Sequence, residues 1–237
     1  MKNIRPSTKL TYLLIGSIVS IFAVVPAMSQ TANSACGPLS NAFGPFDYRT
    51  ERGNNLYLVE STHFLPKVES LIRGHTTTRP GGDIDYTLRA FPNHHRALMA
   101  MAKLGELEKT PKPDGSRYSV ECWFERAILF RPDDATSRMI YSSYLSKNQR
   151  LPEAISQLEQ STTIAKDNPF THYNIGLLYF DTKNYDKALI QAHRAMALGF
   201  ERTELRDLLE KAGQWKEPTI APTQIPLAPL ADTPLPR

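Results

Sequence analysis

The sequence predicts an all-α chain: a solenoid of about three helical hairpins with an irregular N-terminal cap and a disordered Pro-rich C-terminal tail. Three observations carry that prediction. Segments 135–168 and 169–202 repeat one another at a 34-residue step, with Ala154 aligned to Ala188, Leu151 to Tyr185, Ser142 to Gly176 and Leu145 to Tyr179. Proline-bearing junctions, Phe91-Pro92-Asn93-His94 and Arg131-Pro132-Asp133-Asp134, fall where one helix must stop and the next begin. Gly176 and Ala188 are small where the two helices of a hairpin approach, whereas Tyr179, Tyr185 and Leu189 are large where space between hairpins must be filled.

In chain order, the first 29 residues read as a secretory signal. Lys2, Arg5 and Lys9 form a basic start, Leu10 to Val25 an apolar run, and Pro26-Ala27-Met28-Ser29 a small-residue site for cleavage before Gln30. An uncleaved inner-membrane anchor is the competing reading, and a lipid on Cys36 fits less well because Asn33-Ser34-Ala35 lacks an aliphatic residue. Residues 30–91 read as the cap, with one short strand at Leu56 to Val59. Phe64 to Arg73 and Ile84 to Ala90 are expected to form a degenerate leading hairpin joined by Gly74 to Gly82. Asp83 reads as the cap of the helix that follows Gly81-Gly82, and Asn93 as a cap at the next junction.

The first hairpin, 92–134, is stretched. His95 to Leu107 is rich in Ala, Met and Leu, Lys109 to Gly115 breaks the pattern, and a second helix resumes near Tyr118 and carries Cys122, Phe124, Ala127 and Phe130. Such an insertion lengthens a loop at small entropic cost. In the second hairpin Asp134 is placed to cap a helix, and Pro152 falls at a helix start, where its missing N–H is harmless. Thr203 to Ala212 then reads as a closing helix with Leu205, Leu208 and Leu209 on one face, within a segment 203–215. From Lys216 onward six prolines in 22 residues exclude a helix, so 216–237 should be an extended tether, a recognition segment or trailing sequence.

Charge and cysteines narrow the function. Of 28 basic residues against 24 acidic, three bases lie in the signal, leaving 25 against 24 and no dense Lys/Arg block. That balance speaks against nucleic acid and, once the signal is cut, against a membrane surface. Cys36 and Cys122 are the only cysteines, and export makes their pairing the natural expectation. Two independent buried thiols or a redox pair are the competing readings, the last disfavoured because the two do not form a Cys-x-x-Cys pair.

No catalytic constellation stands out. The sequence has no G-x-S-x-G, H-E-x-x-H or phosphate loop, so no catalytic residue, cofactor or metal is assigned. His94-His95 with Asp83 and Asp85 most resembles a metal site, but adjacent helical histidines point about 100° apart. A structural junction role is expected there. Glu60 and Glu69 read as ordinary surface charge rather than a glycan-cleaving pair, and His172 and His193 as packing or surface residues.

Tyr173-Asn174-Ile175-Gly176, Tyr179, Tyr185 and Ala188 resemble the tetratricopeptide (TPR) signature, and weaker versions extend the likeness over 92–202. Cys36-Gly37-Pro38-Leu39, Gly82-Asp83-Ile84-Asp85-Tyr86 and Phe91 to Leu98 further resemble small exported TPR proteins of Gram-negative bacteria. The resemblance implies a right-handed solenoid whose concave face is lined by the first helix of each hairpin. Carried over by position, that face holds Arg96, Met99 and Lys103; Thr136, Met139, Ser143 and Lys147; and Phe170, Tyr173, Asn174, Leu177 and Phe180. Only Asn174 matches the family's carboxylate clamp, so no clamp is expected. The implied function is a non-catalytic periplasmic or secreted adaptor or assembly factor that binds a peptide or protein of the cell envelope. The alternative is an envelope enzyme, or an accessory subunit of one, acting on peptidoglycan or exported polysaccharide.

Overall fold

The computed structural model describes residues 36–218, and within them every regular element is a helix. The signal segment 1–29 and nearly all of the Pro-rich tail lie outside the described residues. In order the helices are α1 (Asn54–His63), α2 (Pro66–Glu69), α3 (Pro80–Ala90), α4 (His95–Glu108), α5 (Val120–Phe130), α6 (Ala135–Lys147), α7 (Leu151–Ala165), α8 (Pro169–Asp181), α9 (Tyr185–Ala197) and α10 (Glu204–Lys211). None is long and apolar enough to cross a membrane.

Helices α4–α9 follow the sequence expectation closely. They form the pairs α4/α5, α6/α7 and α8/α9, and α10 packs on both α8 and α9. First helices also meet in succession, α4 against α6, α6 against α8 and α8 against α10. The aligned small positions sit where predicted. A Cβ built on Gly176 would lie 2.4 Å from Leu205 Cδ2 and 3.5 Å from the Ala188 carbonyl, so a side chain there would force the Leu205 side chain of α10 to shift. One repeat earlier, the Ser142 hydroxyl donates to the Ala154 carbonyl at 2.9 Å, satisfying a buried polar atom at the same helix crossing. The hairpin turns repeat as well, because Gln149 and Lys183 both adopt left-handed backbone, at φ 64° and 59°.

Junction chemistry fixes the helix starts. Asp134 accepts from Ser137 N at 3.1 Å and Asn168 from Thr171 N at 3.0 Å, each satisfying a donor that the first turn would leave unpaired. At the first junction the expected cap is corrected. His94, not Asn93, caps α4, its Nδ1 accepting from Ala97 N at 3.1 Å. Asn93 turns away into a buried network instead.

The N-terminal region departs further from expectation. Leu56 to Val59 is helical, not a strand: Leu56 and Val59 are buried while Tyr57 and Leu58 between them are exposed, the spacing of a helix packed on α3. Packing on one face overrides the local β-preference of this short apolar run. The leading hairpin also differs, since Phe64 to Arg73 yields only the single turn of α2, and α3 begins at Pro80. Gly81 and Gly82 therefore lie inside the first turn of α3. A Cβ on Gly81 would stand 2.1 Å from the Asp114 carbonyl, so glycine lets the inserted loop of the first hairpin lie directly on α3. Cys36 and Cys122 are joined in a disulfide, with their Cα atoms 5.2 Å apart.

Candidate functional site

α4, α6 and α8, which carry the expected face residues, touch in succession. Met99 and Phe170 are large apolar side chains on α4 and α8, 50% and 58% exposed. Arg96 forks onto Glu69 and also reaches Glu60 at 3.2 Å, its guanidinium lying over the Phe64 ring. Lys103 and Lys147 share one carboxylate, Glu106, at 3.0 and 2.9 Å. This bridge ties α4 to α6, leaves one positive charge in excess, and holds the Glu106 carboxyl below its ordinary value, chiefly through the Lys147 hydrogen bond.

The remaining expected face residues divide. Thr136, Ser143, Asn174, Leu177 and Phe180 are half-buried. The Asn174 amide donates to the Phe170 carbonyl at 2.7 Å, which fixes the side chain along the helix. Met139 and Tyr173 are not on an open face: both belong to the core. Tyr173 packs 4.7 Å from the Phe200 ring and donates to Glu204 at 2.8 Å, so the entry to α10 covers it.

His94, His95, Asp83 and Asp85 do not converge. Asp83 accepts from His75, Thr76 and Thr77 backbone N–H groups and from both threonine hydroxyls, and lies 3.0 Å from His63 Nδ1. It sits in the first turn of α3 and organises the preceding loop, rather than capping the helix as the sequence suggested. Burial alone would raise its carboxyl, but these donors more than offset that and hold it well below the usual range. Asp85 pairs with Arg89 and accepts from Arg117 N. Glu60 and Glu69 converge on the same Arg96; the His94 hydrogen bond chiefly lowers the Glu60 carboxyl and the Arg96 hydrogen bond the Glu69 carboxyl, which suits neither to acid catalysis. His172 is buried between Gln191 and the Lys166 carbonyl, and His193 packs on Trp215.

Sequence reasoning missed a buried polar hub at the cap. Asn93 places its amide nitrogen 2.7 Å from Asp47 and 2.9 Å from Asp134, while its oxygen accepts from Tyr48 N at 2.9 Å. Arg49 and Arg131 neutralise Asp47, and His95 Nε2 lies 2.9 Å from Asp134. The Pro92 and Pro132 junctions offered the available signal, since each places an N-cap two residues on, at His94 and Asp134. Asp47 carries no comparable mark.

His94 supplies a pH dependence. Its Nδ1 accepts the α4 cap bond, so Nε2 carries the proton toward Glu60 Oε1 at 3.0 Å, between the Tyr48 and Phe64 rings. Burial lowers its pKa below the ordinary 6.5, although Glu60 opposes that shift. The unfolded chain therefore takes up the proton first. Stability from this group is present above pH about 6.5 and declines as pH falls below it, by at most ~1.4 kcal/mol per pH unit. His94→Asn keeps a capping oxygen without a titrating ring. Urea midpoints at pH 7.5, 6.5 and 5.5 should show a weaker acid-side fall in this variant than in the wild type; parallel curves would assign the fall to other groups.

Compared with protein-family models and with curated proteins, the chain matches none.

Proposed function

We propose that this protein is a non-catalytic adaptor or assembly factor of the cell envelope, a TPR-type solenoid that holds a peptide or protein on the strip formed by α4, α6 and α8. The observation that carries this reading is the successive contact of the three first helices that bear the expected face residues. What supports it is that α4, α6 and α8 pack in succession and that Met99 and Phe170, on the first helices of the first and third hairpins, are exposed. Aromatic residues, methionine and arginine are enriched at protein interfaces relative to the rest of the surface. The surrounding Arg96, Lys103 and Lys147 are tied to glutamates, which keeps them extended and favours partner groups that accept hydrogen bonds. Export rests on the signal-like first 29 residues and on the cysteine pair.

The test uses exposed residues, because changing Tyr173 would disturb the core. Met99→Ala together with Phe170→Ala should leave the unfolding free energy within about 0.5 kcal/mol of wild type. The double variant should lose at least tenfold in retention of the envelope proteins that wild type captures and that cross-link to the strip. Unchanged capture by a folded double variant would remove the strip from the function.

A further inference from the structure

Cys36, Cys122 and Glu125 are gathered at the disulfide. Cys122 and Glu125 stand three residues apart on one face of α5, and Cys36 meets them from the first described residue. The two sulfurs and a carboxylate oxygen all lie within 4.8 Å of one another, and Glu125 Oε2 is 3.0 Å from Cys36 Sγ. In the oxidised protein this is a disulfide with a carboxylate against it. Its sulfurs are bonded to each other and are not thiolates, the form that binds a metal.

The position of Cys36 does not depend on that covalent bond alone. Arg126, almost fully buried on α5, donates from Nη1 to the carbonyls of Cys36, Gly37 and Pro38 at 2.9, 3.1 and 2.7 Å. Its guanidinium lies over the Tyr118 ring at 4.7 Å, which fixes the side chain. Opening the disulfide would therefore leave both thiols facing one another beside Glu125, with side-chain rotation free to set their separation.

We propose that the reduced protein binds one zinc ion through Cys36 Sγ, Cys122 Sγ and the Glu125 carboxylate, so that a metal replaces the disulfide as the tie between cap and first hairpin. A dithiol donor supplies two electrons and two protons: the S–S bond breaks, two thiols form, and the donor closes to its own disulfide. Zinc then displaces the two thiol protons to the solvent. Two thiolates and one carboxylate match its preference for sulfur, nitrogen and oxygen ligands in a tetrahedron, with water in the fourth position. Thiolate separation in such a site is about 3.7 Å, set by Zn–S bonds of about 2.3 Å. The buried Arg126 guanidinium, bonded to the Cys36 carbonyl, offsets the one negative charge left over.

The experiment is a titration of the full protein with Co²⁺ after reduction by a phosphine, read by thiolate-to-cobalt charge-transfer absorption and then by displacement with Zn²⁺. Reduced wild type should develop the band at one equivalent and lose it to zinc, while oxidised wild type, a folded control, should not. Glu125→Gln should keep the band but need at least tenfold more metal, and Cys36→Ser should lose it. Circular dichroism of the reduced protein before metal confirms that the helices persist. A missing band in helical reduced protein, an equal band in oxidised protein, or unchanged affinity in Glu125→Gln would each overturn the site. None of these outcomes bears on the α4–α6–α8 strip, so the two proposals fail separately.

Discussion

Asp134→Ala should destabilise the protein by about 3–5 kcal/mol, the range for breaking a buried charged network on one side. Asp134 is 1% exposed and does four things at once. It caps α6 through Ser137 N, accepts from the Ser137 hydroxyl, accepts from Asn93 and pairs with His95. Removing it leaves an amide donor of Asn93 and the α6 terminus without partners, each a desolvated group that water cannot reach. It also releases Asn93 from one of the two carboxylates it bridges, loosening the cap residues Asp47 and Tyr48. Asp134→Asn keeps a capping oxygen but loses the charge, and should cost roughly half as much. Urea unfolding at pH 7 measures both; a loss below about 1 kcal/mol for alanine would show that the hub does not hold the cap.

Cys122→Ser should cost about 4–5 kcal/mol, because the disulfide closes a loop with a sequence separation of 86. The effect acts mainly on the unfolded chain, which regains the entropy of an open loop, and so need not alter the folded structure. Arg126 still grips the carbonyls of residues 36–38, and Asn93 still joins Asp47 to Asp134. The variant should therefore unfold at a lower midpoint while the α-helical signal before the transition stays that of wild type. A helical signal already reduced in native buffer would mean instead that the covalent tie is needed to dock the cap.

The hairpins were legible because their information is local and repeated. A 34-residue step, a small residue at each helix crossing and a capping side chain after each junction proline act within one or two turns, and α4–α9 follow them. The exposure of some expected face residues was legible for the same reason: Arg96, Met99, Lys103, Lys147 and Phe170 all lie open to solvent. Met139 and Tyr173 did not follow, because a helix position defines a direction and not what lies in that direction. Tyr173 is covered by Phe200 and the start of α10, residues that belong to the next element.

The N-terminal region shows the opposite case. Leu56 to Val59 and Phe64 to Arg73 carry weak local preferences, so which became helix was decided by the faces available on α3 and α4. By itself the sequence determined the all-helical class, the spacing of the hairpins, the closing helix and the pairing partners open to two cysteines. Only the tertiary structure decided that Asn93 would join Asp47 to Asp134, that Asp83 would gather the loop before α3, and that Glu125 would stand against the disulfide. Capping and periodicity are energies of neighbours along the chain. A buried charge is stabilised by whatever groups the fold brings within about 3 Å of it, and at the Asn93 hub two of those contacts join residues 41 and 46 apart in the chain.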